Sequence, residues 1–329
     1  MRRIFTVFLL FFVLPFGATA QTELDETRAF LGWSMEVNQV TQRALGLLDS
    51  VFDADIVGVR VRDGEIDVEA GEAELATWRN LIDAELLAIE AEVARLSSGP
   101  AAVPERLAPA VGAMVSSLHD TVAAVNELVD QAEAAARRDF AGEPENDDAI
   151  YAARYAALQE YYAGQARYLR LTAELAEAEH PQYGLSLATA TNLDSIVIAL
   201  ELGRQAFGDE PSAFAVSDPA VTFADNAASV EAHLDESERQ YRTMRAQVML
   251  MSTGSSEEER IRTILLDMLE TYVESYAAER RGLGLHRSLI GDIEARGSDA
   301  VFDWVEHLIG YEEERDGVQQ RRMAIASQL

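Results

Sequence analysis

"IVGVRVRDGEIDVEA", residues 56–70, alternates apolar and polar side chains every second residue around Asp63-Gly64, in a chain that otherwise follows helical spacing. Asp-Gly tolerates the positive φ that a type I′ turn needs, so the stretch reads as a β-hairpin over 56–69. Folded there, Arg62 faces Glu65, Val61 faces Ile66, Arg60 faces Asp67 and Val59 faces Val68. One face is then apolar and the other carries two opposite-charge pairs, each contributing roughly 0.2–1 kcal/mol. A one-residue slip would mix the faces, so the register is specific. The edge formed by Val59, Val61, Ile66 and Val68 would offer unpaired amides and carbonyls to a partner's strand. The same arginines and acids would also guard that edge against unwanted pairing.

Around this stretch, apolar residues recur at intervals of three and four. Phe30, Trp33, Val37, Val40, Ala44, Leu47 and Val51 form one such stripe. Leu75, Trp78, Ile82, Leu86, Ile89, Val93 and Leu96 form a second, and Leu107, Val111, Met114, Leu118 and Val125 a third. Val230 to Met251 and Ile261 to Tyr276 continue the rhythm. A stripe on one helix face is the mark of a helix packed in a bundle. Punctuation agrees: Ser97-Ser98-Gly99-Pro100 stops a helix, Pro104 suits the first turn of the next, and Ser256 with Glu259 reads as a capping box. The spacing predicts helices over roughly 23–54, 71–98, 103–141, 146–179, 184–208, 223–253, 256–296 and 298–326, with ends uncertain by about 2–4 residues.

Four helices followed by four suggest an internal duplication with an offset of about 150 to 155 residues. "DDAIY" at 147–151 corresponds to "SDAVF" at 298–302, and "PERLAPAVGAM" at 104–114 to "EERIRTILLDM" at 258–268. "SAFAVSDPAVTFAD", 212–225, then reads as a second, weaker hairpin over 213–224. The expected fold is mainly α: two four-helix-bundle-like halves, each with a small hairpin after its first helix. The first half would span 21–181 and the second 182–329.

Arg2-Arg3, the apolar run Ile4 to Leu14 and Ala18-Thr19-Ala20 have the order of a secretory signal peptide, residues 1–20, cleaved near Ala20. That predicts a periplasmic or secreted protein. No later segment reads as a transmembrane span. With no cysteine there are no disulfides or thiolate metal sites, and a chain of this length can bury a core without them. Asp and Glu number 57 against 27 basic residues, all arginine, for a net charge of −30. Such a balance argues against nucleic acid and anionic membranes as partners, since both need a positive footprint.

Catalytic patterns are missing. No glycine-rich phosphate loop follows a strand, and there is no Gly-x-Ser-x-Gly elbow. Glu177-Ala178-Glu179-His180 is a single copy of the Glu-x-x-His element that helical metal sites use twice. Tyr151, Tyr155 and Tyr162 share one face of an aromatic-rich helix, which reads either as core or as the lining of a small-ligand pocket. Gly284-Leu285-His286 resembles the start of the Gly-x-His-x-x-Glu signature of the imelysin-like family, although position 289 is Leu rather than Glu. That resemblance implies a secreted, all-helical protein of two related four-helix bundles linked to iron uptake.

The sequence therefore predicts a non-catalytic binding or scaffolding protein of the cell envelope that needs no cofactor or metal. Its expected partner is another envelope protein, and association with a second copy is compatible with the pattern. The alternative is a helical-bundle carrier or sensor of a small ligand or metal, with Tyr151, Tyr155, Tyr162 and His286 at its site.

Overall fold

The computed structural model describes residues 17–103, 105–143, 148–176, 182–206, 219–296, 299–326 and 328. The hydrophobic run of the expected leader, residues 4–14, lies outside them. The described chain is helical almost throughout and contains no strand. Helix α1 runs over Gly17–Leu45 and α2 over Leu47–Arg62, with Gly46 between them. The buried stripe from Phe30 to Ala44 passes through that break to Leu47, Val51, Ala54 and Val57. Two helical segments therefore share one apolar seam.

The first expected hairpin is a helix, a tight stop and the start of another helix. Ala54, Val57, Gly58 and Val61 sit at i, i+3, i+4 and i+7, a helical stripe hidden in the alternating letters. At Gly58 a Cβ would lie 2.7 Å from Asp139 Oδ2 and 3.0 Å from Ala136 Cα, so the missing side chain admits the helix carrying those residues. Val61 packs against Gly71 rather than Ile66. Gly64 does take positive φ, at +74°, but as the residue that ends α2. Its amide donates to Val61 O at 3.0 Å and the Glu65 amide to Arg60 O at 2.9 Å, the Schellman arrangement. Arg60 pairs with Glu74 at 2.6 Å instead of Asp67. Asp67 instead caps α3, Val68–Leu96, by accepting the Ala70 amide at 2.8 Å.

The stripe read in α3, from Leu75 to Leu96, is buried at every position. A short 3₁₀ turn, Glu105–Leu107, leads into α4, Ala108–Phe140, whose first turn carries Pro109; Pro104 is outside the described residues. Helix α5 spans Asp148–Ala176, α6 Gln182–Ala206, α7 Pro219–Leu250, α8 Ser256–Arg296 and α9 Asp299–Ala326. Of the second expected hairpin, 213–218 lies outside the described residues, and Val221 and Phe223 belong to α7. The capping box is shifted by one residue. Ser255 Oγ accepts the Glu258 amide at 3.2 Å and Glu258 accepts the Gly254 amide at 2.6 Å. Glu259 holds Thr253 and Arg262 instead.

Helices α1 to α4 and the start of α5 enclose one apolar core. Helix α6 packs on α5, α7, α8 and α9 and so occupies the middle of the remaining helices. Its segment Gln182–Gln205 is, by length and composition, apolar enough to cross a membrane, unlike the sequence expectation; 72 % of its most apolar window is buried inside the protein. The boundary expected near 181 falls between α5 and α6. These pack antiparallel from the Tyr155–Gly203 contact to the Arg170–Asp194 pair.

Candidate functional site: a buried polar seam

The apolar stripe of α8 runs Ile264, Met268, Tyr272, Tyr276, and its next positions at helical spacing are Glu279, Leu283 and His286. The stripe of α9 runs Val301, Trp304, Leu308, Tyr311, Arg315, Val318, Arg322. Ionisable side chains thus occupy positions that face the interior. Helices α8 and α9 are antiparallel, which sets Glu279 beside Tyr311 and His286 beside Trp304.

Glu279 is 1 % exposed. Its Oε2 accepts from Tyr311 Oη at 2.5 Å and from Asn192 Nδ2 at 2.6 Å; the same Asn192 group also donates to the Glu279 carbonyl at 3.0 Å. Asn192 reaches that carboxyl from α6 because residue 282 is glycine: a Cβ there would lie 2.6 Å from Asn192 Nδ2. Thr189, one turn back on α6, supplies a further hydrogen bond. One residue along α9 from Tyr311, Glu312 accepts from Tyr162 of α5 and pairs with Arg315 at 3.2 Å. Tyr161, next to Tyr162, accepts from Gln42 of α1 at 2.8 Å, and the two rings meet edge-on at 5.0 Å. A polar thread therefore crosses from α1 through α5 to α9, where Arg315 interacts electrostatically with Tyr311 and Glu279.

Burial governs the protonation of this seam. It pushes the Tyr161 phenol up to about 12, and holds Tyr162 and Tyr311 well above the usual tyrosine value, with the neighbouring carboxylates adding to the effect. The phenols are therefore hydrogen-bond donors or acceptors, with no anionic oxygen for nucleophilic work at neutral pH. Burial also raises Glu279 and Glu312. For Arg315 burial opposes the charge, but Tyr311, Glu312, Asp316 and Glu279 outweigh it and raise its value. His286, 2 % exposed, is driven down to about 3 by burial and stays neutral beside Trp304, ring centroids 5.7 Å apart.

The four residues read as a ligand pocket divide between places. Tyr162 and His286 both flank α9, at contacts eight residues apart, or about 12 Å along the axis. Tyr155 is half-buried against Gly203, while Tyr151 is exposed. Val59, Val61, Ile66 and Val68 form no strand edge: the first two lie in α2, Ile66 in the turn, and Val68 opens α3 half exposed. Glu177 to His180 lie outside the described residues. Among the described residues no three His, Asp or Glu side chains are grouped to hold a metal ion. A surface groove of about 460 Å³ lies between α8 and α9, floored by Ala277, Gly317 and Val318. The ion pairs Glu274–Arg321 and Arg281–Glu314 stand along its rim.

Comparison with models of known families, with curated proteins and with solved structures finds no match to this chain. Sequence reasoning missed Asn192, Glu279, Tyr311, Glu312 and Arg315. The signal was present: Glu279 and Arg315 interrupt apolar stripes at positions where a solvated charge would not fall.

Proposed function

We propose that this protein is a non-catalytic binding or scaffolding protein of the cell envelope that presents long helix faces and helix ends to another protein. One observation supports this above others: the polar groups best suited to chemistry are withdrawn from solvent and hydrogen-bonded in pairs, Glu279 with Tyr311 and the largely buried Glu312 with Tyr162. An enzyme needs such groups at a cleft that admits substrate. The largest exposed apolar side chains instead stand on the outer surface, with Leu81 and Leu87 on α3 and Met249, Leu250 and Met251 where α7 ends. Large apolar side chains at exposed positions are what partner contacts use. Export through the amino-terminal leader supplies the compartment, and the two helical halves supply separate faces.

The test is site-specific photocrosslinking in intact cells, with the probe placed at Leu87 or Leu250. A discrete adduct with one envelope protein from the Leu250 probe, lost on introducing Met249→Glu or Met251→Glu beside it, is the expected result. A chain that yields no adduct, and that carries a stoichiometric small molecule or metal in native mass spectrometry, would replace this reading with the carrier.

A further inference from the structure

Two largely buried carboxyl groups lie under the influence of one largely buried guanidinium where α5, α6, α8 and α9 meet: Arg315 pairs with Glu312 at 3.2 Å and acts electrostatically on Glu279. Glu279 comes from α8, and Glu312 and Arg315 from α9; the side chains of Glu312 and Arg315 are 15 % and 17 % exposed. From α6 the groups facing Glu279 are Thr189 and Asn192, both neutral. From α9 they are Tyr311 and Arg315, and from α5 Tyr162 faces Glu312 with Tyr161 behind it. Asp316, half exposed, adds a further negative charge beside Arg315. From α7, Asp235 and Glu238 engage Arg280, the neighbour of Glu279, on the outer flank of α8. With both carboxyls ionised the interior would carry one negative charge in excess, and an uncompensated charge in a low-dielectric interior is costly.

We propose that this junction takes up one proton, shared between Glu279 and Glu312, so that mild acid tightens the seam joining α5 and α6 to α8 and α9 and alkali loosens it. The coupling of two acids to one base makes the proton a property of the pair rather than of either residue. Burial raises both carboxyls above the ordinary range, so the folded state binds more protons there than the unfolded chain. Their contribution to stability is complete below the ordinary carboxylate range and is lost as pH rises through the raised values. The arginine-paired surface acids Glu85, Glu236, Glu257 and Glu259 shift downward, in the opposite direction from the buried pair. His286 titrates in the opposite sense, so a global melting curve would mix the two effects.

A local readout separates them. The full chain labelled at the glutamate carboxyl carbon is titrated by NMR from about pH 8 to about pH 4. The expected spectrum has a carboxyl signal titrating above all exposed glutamates, absent in Glu279→Gln. Amide exchange, corrected for intrinsic rates, should slow around residues 276–283 and 308–315 on acidification in the parent chain and respond less in the variant. If every glutamate signal of the parent chain titrates at or below the ordinary range, or seam protection is independent of pH, the proposal falls. Should Glu279→Gln fail to fold, Glu312→Gln assigns the signal, and Glu160→Gln identifies the separate signal of Glu160, whose carboxyl burial also raises; a raised signal that only Glu160→Gln removes overturns the proposal.

Discussion

The core around α1 to α4 and the core around α6 to α9 are built from different materials. The first is almost wholly apolar: Leu, Val, Ile, Met, Ala, Phe30 and two tryptophans fill it, and its buried polar groups among the described residues are small or sit at its edge, such as Thr41, which donates to its own helix. The second mixes leucine with tyrosine and holds Asn192, Glu279, His286 and Arg322. Arg322 lies over the Tyr272 ring at 3.8 Å and donates to Thr271 Oγ1 at 3.0 Å, while Tyr272 stacks on Tyr241 at 4.5 Å. Apolar packing constrains shape alone, whereas a buried polar network also constrains partner and orientation, because each member left unpaired is penalised. The first core is thus held chiefly by apolar packing, and the second carries most of the buried groups that can bind or release a proton.

The largest expected effect probes the apolar core. Leu118, 1 % exposed, should cost about 2–5 kcal/mol on truncation to alanine, measured by urea unfolding. That cost should be the same at neutral and mildly acidic pH; a pH-dependent cost would break the contrast between the cores. Next comes His286. The folded protein keeps this imidazole neutral down to about pH 3, whereas the unfolded chain protonates it near 6.5. The unfolded state binds the extra proton between those values, so the contribution of His286 to stability falls as pH falls, by about 1.4 kcal/mol per pH unit. His286→Leu should remove that slope from urea unfolding curves; an unchanged slope would mean that the imidazole is solvated.

A smaller effect is expected at the stop between α2 and α3. Gly64→Ala must place a Cβ at φ +74°, for about 1 kcal/mol, and Gly64→Asn should lose less. Thermal unfolding measures both, and equal stability of all three chains would mean that the Schellman stop does not form. The smallest effect is at Leu250, 86 % exposed, where substitution by serine should leave stability within about 0.5 kcal/mol. The same change should weaken partner crosslinking, which separates surface function from folding.

Most of the helices could be read from the letters. In α3 the stripe from Leu75 to Leu96 is buried as its spacing requires, while Leu81 and Leu87, off that stripe, stay exposed. The quoted stretch was misread because two periodicities coincide in it. Val57, Val59 and Val61 alternate, yet Ala54, Val57, Gly58 and Val61 also keep helical spacing. Asp63-Gly64 serves a hairpin turn or a helix stop equally well, since both need positive φ at glycine. The seam was illegible for another reason. Asn192 and Glu279 are 87 residues apart and Glu279 and Tyr311 are 32 apart, and no local pattern announces their meeting. Only the charged residues within apolar stripes hinted at it.

By itself the sequence determined most of the helical segments and which of their faces must leave water, because periodic apolar side chains admit few other solutions. It also determined the acidic surface and the absence of any disulfide. Only the tertiary structure decided that residues 56–62 continue a helix, since α4 approaches at Gly58 and α3 at Gly71, and these contacts outweigh the local β preference of alternating valines. It alone decided where the buried charges meet, because a hydrogen bond across 87 residues exists only once both helices have been packed into place.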